Sequence, residues 1–275
     1  MRDERGKDGF LCILTVVLSV LFRKNALILI IATILMLLVL FIVNKRKKYL
    51  ALILCLCVLP LGTVTIIEQY YQRISGYEIT GGIPPVAWIT MGTIEDGSAP
   101  GWFNSYCVPL YYSTGYDREE TAKIAINRLG EQINYFRENP VYALSFWKRK
   151  IATQWNDPFY HTDYLIPVDQ NEIAKGVTAF IQGQKSNFLI FLSLLQTIIY
   201  LGGVLYIFCV SYRGVFYKRL PEVYVLGGFL FSLLWKANSR YVFPYYIAMF
   251  PLAAIGWHYG IGILSAFLEK KTFLK

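Results

Sequence analysis

A run of aromatic, amide and carboxylate residues begins at Trp155 and continues through Asn156 and Asp157 to His161 and Asp163. Aromatic rings stack on the C–H faces of sugars, while amides and carboxylates form directed hydrogen bonds with sugar hydroxyls. The run therefore predicts one wall of a carbohydrate site, with Asp157 as a candidate proton acceptor. The same composition also fits a loop that returns to a membrane and is anchored by its aromatic residues.

Two adjacent carboxylates, Glu95 and Asp96, lie in a segment rich in glycine. A carboxylate can act as a general base or supply an oxygen ligand to a divalent cation. Adjacent side chains usually point in different directions, so the pair also fits a solvated turn. No spacing of His, Cys, Asp and Glu identifies a metal centre. The sequence predicts no metal site, and a divalent cation stays an open alternative as a cofactor.

A third group of residues lies at the start of the last apolar stretch, where Trp235, Lys236, Arg240 and Tyr241 follow one another closely. A guanidinium group binds phosphate through two parallel hydrogen bonds. Arg240 is therefore a candidate ligand for a phosphate at the membrane surface. The alternative is that both cations extend toward lipid headgroups without a specific ligand.

Motifs of several common enzyme classes do not occur in the sequence. There is no G-x-S-x-G, P-loop, dinucleotide fingerprint or H-E-x-x-H motif. The sequence therefore gives no support for ATP-driven transport or for hydrolysis at a Ser-His-Asp site.

The elements that must position these residues are predicted to be membrane helices. The chain is 55% hydrophobic and 16% charged, whereas soluble domains are about one quarter charged. Its net charge of +9 is unevenly spread: residues 68–186 carry 10 Lys and Arg against 13 Asp and Glu, and the rest of the chain carries 17 against 5. A nucleic-acid-binding protein would need a basic stripe on a soluble face. The predicted partner is a lipid bilayer, and no nucleic acid is predicted.

Six apolar stretches are visible, namely Phe10–Phe22, Ala26–Asn44, Tyr49–Ile67, Asn187–Ser211, Val223–Trp235 and Tyr241–Leu268. A helix needs about 20 residues to cross a bilayer core, so the first and fifth stretches are short. Basic clusters alternate along the chain and place both termini in the cytoplasm. The predicted fold is an all-α polytopic membrane protein with about six transmembrane helices. Residues 1–67 and 187–275 form its membrane segments, and residues 68–186 form a large, mainly helical extracytoplasmic loop domain.

Two helices are predicted within this loop domain. Asp117 caps the first helix, and Asn139 and Pro140 end it and begin a second helix that runs to about Trp155. One face of the first helix is predicted to be apolar and is formed by Ala122, Ile126, Leu129, Ile133 and Phe136. The second carries three consecutive cations, Lys148, Arg149 and Lys150.

Four segments resemble the C-terminal half of bacterial polytopic glycosyltransferases of the GT-C class, similar to protein O-mannosyltransferases, aminoarabinose transferases and glycosyltransferase family 39. These segments are residues 82–88, 99–104, 138–158 and 239–245. The resemblance extends over roughly residues 66–256 and depends on loose aromatic and proline-containing motifs.

The resemblance implies transfer of a sugar from a polyprenyl-phosphate donor to a cell-surface glycan or protein acceptor, at the outer face of a bacterial plasma membrane. The matched positions expected to bind the two substrates are Trp88, Trp102, Asn104, Trp155, Asn156, Arg240 and Tyr241. Members of this class carry a catalytic acid in the first outer loop. Here that loop is predicted to be residues 23–25, which contain no acid.

This difference leaves Glu95, Asp96 and Asp157 as the candidates for a general base and leads us to expect the C-terminal part of a longer enzyme. A second difference is Lys236, because such proteins often carry an acidic residue at this position.

Two other classes of protein stay open as alternatives. The first is a non-catalytic accessory or glycan-binding membrane protein, which needs no general base. The second is a transporter, which would need polar or broken helices in the membrane. The only candidate interruptions are the glycine pairs at residues 202–203 and 227–228, and close packing of helices explains them better.

Overall fold

The computed structural model describes residues 4–77, 81–96, 98–162, 172–209 and 219–272. Helices account for 82% of the structure, and the described residues contain no strand. The prediction of an all-α protein is therefore confirmed. Asp163, from the polar and aromatic run that begins at Trp155, lies outside the described residues. So do Arg2, Arg213, Lys218 and Lys275, which belong to the basic clusters.

The helices of the described residues are α1 (Glu4–Phe22), α2 (Leu27–Asn44), α3 (Lys48–Ser75), α4 (Pro85–Met91), α5 (Cys107–Ser113), α6 (Arg118–Glu138), α7 (Pro140–Trp155), α8 (Glu172–Gly183), α9 (Lys185–Cys209), α10 (Leu220–Leu234) and α11 (Phe243–Thr272). A short 3-10 turn, Lys24–Ala26, precedes α2, and another, Ser239–Tyr241, precedes α11.

Four segments are long and apolar enough to cross a membrane: Lys24–Asn44, Lys48–Ser75, Lys185–Cys209 and Phe243–Ala266. Large side chains along them are exposed, as lipid-facing residues should be; Leu54 in α3 is 64% exposed. The apolar parts of α1 and α10 are shorter, with 10 to 17 residues each. Membrane character is thus supported by four helices, and six spans stay a prediction.

The chain divides into two compact units, and α10 contributes its first half to one unit and its second half to the other. The first unit comprises Met1–Gly82 and Gly214–Gly227. Its core is a cluster of apolar side chains from α1, α2 and α3: Val16, Val20, Ile30 and Leu56. These contacts hold the three N-terminal helices together.

The second unit comprises Ile83–Arg213 and Gly228–Lys275, and α9 and α11 form its membrane part. The two helices approach closely at Gly202, where an added Cβ would lie 2.8 Å from the Cβ of Ala253. The Trp257 indole N–H also donates to the Ile198 carbonyl at 3.0 Å. Close packing therefore accounts for the glycine at position 202, as the sequence predicted.

The two helices predicted between residues 117 and 155 are confirmed as α6 and α7. The Asp117 carboxylate caps α6 by accepting hydrogen bonds from the N–H groups of Glu119 and Glu120, at 2.8 and 3.0 Å. Within the predicted apolar stripe, Ile126 and Ile133 are 57% and 48% exposed.

The buried face of α6 instead contains Thr121 and Ala125. Small side chains allow α6 to approach α4, where the Thr90 hydroxyl donates to the Ala125 carbonyl at 2.9 Å. Contact between backbones therefore decides which face of α6 is buried, and the hydrophobic pattern alone does not.

A core cluster of the second unit lies among α4, α5 and α6 and contains Ala87, Met91, Cys107 and Ala125. The Cys107 thiol donates to the Ala87 carbonyl at 3.1 Å. Burial raises the pKa of Cys107 to about 12, so the thiol stays protonated and unreactive.

Candidate functional site

A buried lysine joins α7 to the chain that follows α10. The Lys150 ammonium donates to the carbonyls of Gly92, Leu233 and Trp235 at 2.6, 2.7 and 2.9 Å, and the side chain is fully buried. Burial lowers the pKa of Lys150 to about 7. Three carbonyl acceptors nevertheless match the three donors of an ammonium group, whereas a neutral amine has two, so the contacts favour the charged form.

The neighbouring backbone segments approach closely because two glycines lie between them. Gly101 has φ of +72°, and an added Cβ would lie 2.5 Å from the Gly92 carbonyl oxygen and 2.9 Å from Cε of Lys150. The Gly101 carbonyl accepts from the Ala237 N–H at 2.6 Å. Any side chain at position 101 would therefore disturb the backbone that leads into residues 236–240.

Gln154, one turn after Lys150 on α7, makes a second set of contacts with the same segment. Its side-chain amide donates to the Ser232 carbonyl at 3.2 Å and accepts from the Asn238 N–H at 3.4 Å. The Trp155 indole N–H donates to the Ser232 hydroxyl at 3.1 Å. Helix α7 thus fixes the position of residues 232–238 through buried polar contacts.

Lys236 lies among aromatic rings. Its Nζ atom is 4.7 Å from the centre of the Trp88 ring, 5.6 Å from that of Phe103 and 5.7 Å from that of Tyr241. The negative ring faces attract the ammonium group and hold a cation where the local surroundings are largely apolar. We call this group of four residues the Lys236 cage.

A cleft of about 630 Å³ adjoins the Lys236 cage, and we call it the cationic cleft. It is lined by Ser98, Ala99, Trp102, Phe103, Thr153, His161, Lys236, Asn238 and Arg240. Among the described residues, this lining includes the basic side chains of Lys236 and Arg240 and no carboxylate. The arrangement suits an anion, and the adjacent aromatic surface suits an apolar or sugar ring.

Contacts around the cleft orient several of these side chains. The Trp102 indole N–H donates to the Thr153 hydroxyl at 3.0 Å, and the Trp102 and His161 rings lie 5.3 Å apart. The Arg240 side chain donates through Nε to the Asn238 side-chain oxygen at 3.3 Å. The Ser98 hydroxyl is buried and has no hydrogen-bond partner within the described chain. A buried hydroxyl without a partner favours a ligand that accepts a hydrogen bond from it.

Asp157 contacts His161, a lining residue of the cleft, and Ser239, the neighbour of Arg240. Its carboxylate accepts hydrogen bonds from the N–H groups of Phe159 and His161, at 3.0 and 2.8 Å, and from the Ser239 hydroxyl at 2.6 Å. Tyr160 and His161 both have positive φ, at 49° and 65°, and these bonds offset the strain of that conformation. The contacts describe Asp157 as a positioning residue.

Glu95 is also engaged in side-chain contacts. It forms an ion pair with Arg149, in which Nη2 donates to Oε2 at 2.7 Å, and accepts from the Tyr142 hydroxyl at 3.2 Å. Hydrogen bonding to the Arg149 guanidinium is the main reason that the pKa of Glu95 is lowered. A lowered pKa makes this carboxylate a weaker base.

The residues matched to the glycosyltransferase class fall into three places. Trp88, Trp102, Arg240 and Tyr241 lie in the Lys236 cage or the cationic cleft. Asn104 and Asp96 line a second cleft, which contains Tyr106 as well. The remaining two are apart from both clefts: Trp155 is buried against Ser232, and the exposed Asn156 ends α7.

Sequence reasoning missed the roles of Lys150 and Gln154. Both lie on the apolar face of α7, four residues apart and in register with Phe146. Polar residues at buried helical positions are a signal of polar contacts across a packing interface, and this signal was available in the pattern of α7.

The described residues contain no group of three or more His, Cys, Asp and Glu that could hold a metal ion. No protein-family model, curated protein or solved structure matches the chain.

Proposed function

We propose that this chain is a membrane glycosyltransferase of the GT-C class, or the C-terminal part of one, and that the cationic cleft binds the phosphate of a polyprenyl-phosphate sugar. The sugar would be transferred to a glycan or protein at the cell surface. The cleft lies directly before α11, one of the four helices that can cross a membrane. A lipid-linked substrate therefore could place its chain beside α11 and its phosphate at Arg240.

The observation that supports this proposal most is the presence of Lys236 and Arg240 in the same cleft. A phosphate needs positive charge and hydrogen-bond donors, which both side chains supply. The buried Ser98 hydroxyl adds a donor, and Trp102 adds a ring on which a sugar can stack. Surface lysines that only contact headgroups would not require an aromatic cage.

The proposed arrangement in the membrane has six spans, with both termini in the cytoplasm and residues 68–186 outside. This topology places the cationic cleft on the outer face of the plasma membrane. It agrees with the distribution of basic residues, because positive charge accumulates on cytoplasmic loops. Cysteine labelling at an exposed residue of α6, with a membrane-impermeant reagent on intact cells, tests the placement of the loop domain.

The proposed transfer also needs a general base, which must lie close to the acceptor hydroxyl. Of the three candidate carboxylates, Asp157 and Glu95 make structural contacts. Asp96 is exposed and lines the second cleft. Asp96 is therefore the remaining candidate among these three.

Binding of the lipid carrier phosphate is the direct test. Tritiated undecaprenyl phosphate would be titrated into the full chain in nanodiscs, together with the variants Arg240→Ala and Lys236→Met. Each change removes a charge-assisted contact with the phosphate, so we expect the Kd to rise about 10- to 100-fold. Arg137→Ala and Lys148→Met change exposed cations elsewhere in the second unit and serve as matched controls.

Equal affinity for the wild-type chain and both cleft variants would refute the assignment of the phosphate to this cleft. A weakened affinity in all four variants would indicate a general effect of charge at the membrane surface. Sugar transfer itself would be followed in membranes with a radiolabelled polyprenyl-phosphate hexose, by the appearance of label on a surface polymer.

A second candidate function is an accessory protein that binds the lipid-linked sugar without transferring it. The specific observation that favours it is the lining of the cationic cleft, whose described residues include no carboxylate. This alternative predicts binding that depends on Arg240 but no transfer of label, whereas the enzyme shows both.

A further inference from the structure

A second cleft, of about 590 Å³, is lined in part by residues between Ile94 and Tyr106, and we call it the Tyr106 cleft. It is lined by Ile94, Asp96, Asn104, Ser105, Tyr106, Pro109, Leu110, Ser113 and Arg128. Phe103 lines the cationic cleft and the next residue, Asn104, lines this one. The two clefts therefore have neighbouring lining residues in the chain at this pair.

The phenol of Tyr106 gives this cleft an unusual feature. Its hydroxyl is buried but has no hydrogen-bond partner within the described chain. Burial raises the pKa of Tyr106, so the group stays a neutral phenol that can both donate and accept a hydrogen bond. A buried polar atom without a partner is destabilising in the free protein, and a ligand hydroxyl would remove that cost.

The other polar groups of the cleft have complementary hydrogen-bonding properties. The Asn104 side-chain oxygen accepts from the Tyr106 N–H at 3.2 Å, so its NH₂ is the part of the amide that can donate to a ligand. The Asp96 carboxylate is an acceptor, and the Arg128 guanidinium is a donor that also pairs with Glu131 at 2.8 Å.

Apolar atoms of Ile94, Pro109 and Leu110 complete the lining. Alternating donors and acceptors beside an apolar surface are what the hydroxyl and C–H faces of a sugar require. A phosphate would be a poorer ligand here, because the Asp96 carboxylate repels an anion while Arg128 is already paired with an acid.

We propose that the Tyr106 cleft binds a neutral carbohydrate and, resting on the proposed function, that this carbohydrate is the acceptor. The acceptor would then be a glycan whose terminal sugar hydrogen-bonds to Tyr106, Asn104 and Asp96. In the transfer, Asp96 would take the proton of the acceptor's reacting hydroxyl. The hydroxyl oxygen would then bond to the anomeric carbon of the donor sugar as the bond from that carbon to polyprenyl phosphate breaks, which balances the step.

The test separates a ligand contact of Tyr106 from a structural role. The full chain in nanodiscs would be applied to an array of bacterial surface oligosaccharides, and its thermal unfolding would be measured in parallel. In Tyr106→Phe, only the unpartnered hydroxyl is lost, so we expect an unchanged or higher Tm but about tenfold weaker binding to the glycans that the wild-type chain recognises. Asn104→Ala should weaken the binding of the same glycans.

Tyr142→Phe is the matched control, because the Tyr142 hydroxyl donates to Glu95 outside both clefts. This control should lower Tm and leave glycan binding unchanged. Lys236→Met should also leave glycan binding unchanged, but it should weaken the binding of undecaprenyl phosphate.

The proposal is overturned if no glycan is bound, or if glycan binding is lost in Lys236→Met and retained in Tyr106→Phe, which would place the sugar in the cationic cleft. Undecaprenyl phosphate binding is measured separately, so failure of the acceptor site is distinguishable from failure of the proposed function.

Discussion

Replacing Lys150 with methionine removes a buried charge between α7 and the segment after α10 and keeps a side chain of similar length. The change leaves three carbonyls, those of Gly92, Leu233 and Trp235, without their donor. A buried acceptor without a partner costs about 1–3 kcal/mol. The variant no longer has to desolvate an ammonium group, which offsets part of this loss. We therefore expect a net local destabilisation of about 3 kcal/mol.

Hydrogen exchange measured by mass spectrometry on the chain in nanodiscs reports this local change. The amides to follow are those of Gly101, which donates to the Ile94 carbonyl at 2.9 Å, and Ala237, which donates to the Gly101 carbonyl at 2.6 Å. A loss of about 3 kcal/mol corresponds to roughly 100-fold faster exchange where these amides open locally. Peptides from α6 should keep their wild-type rates.

Lys148→Met is the control, because Lys148 lies on the same helix but is exposed. It should exchange like the wild-type chain throughout. Wild-type rates at Gly101 and Ala237 in Lys150→Met would refute the reasoning that the buried ammonium holds the two segments together. Faster exchange in both variants would point to a general weakening of α7 instead.

Three further perturbations follow from other contacts. Gly101→Ala should lower the free energy of unfolding by about 2 kcal/mol and reduce the thermal midpoint, because φ is +72° and an added Cβ meets backbone and side-chain atoms within 3 Å. Glu95→Gln should lower the thermal midpoint more near pH 7 than in acid, because Arg149 lowers the pKa of Glu95 below its ordinary 4.5. This stabilisation exists above pH 4.5 and is lost as the pH falls through the lowered pKa; an equal loss at neutral and acid pH would contradict it. Gly256→Ala would force a methyl group against the backbone of α9 at Gly202. It should destabilise the packing of α9 on α11 by about 2 kcal/mol, measured by unfolding in a detergent titration. An unchanged unfolding midpoint would mean that the two helices can separate freely.

Much of the fold could be predicted from local patterns. Four of the six apolar stretches correspond to helices that are long and apolar enough to cross a membrane. Asp117 and Pro140 mark the starts of α6 and α7, because capping and proline geometry act over a few residues. The burial of Ala125 in place of Ile126 could not be predicted, since it depends on how closely α4 approaches. Such contacts depend on the tertiary structure.

The candidate site was predicted in part, for a similar reason. Arg240 and Trp102 could be selected by residue type, and both line the cationic cleft. The aromatic surroundings of Lys236 could not be predicted from the sequence, because Trp88 and Phe103 are distant from it along the chain. Asp157 has the residue type of a general base, but its three hydrogen-bond donors are visible only in the fold.

The contacts of Lys150 can form only late in the synthesis of the protein. The ribosome makes Lys150 before Leu233 and Trp235, two of the residues whose carbonyls later surround its ammonium group. In the growing chain this lysine stays hydrated, and it loses that water only when residues 232–241 reach α7. The cleft is therefore completed during insertion of the C-terminal helices, and a chain interrupted before Lys236 carries no cation of that cleft.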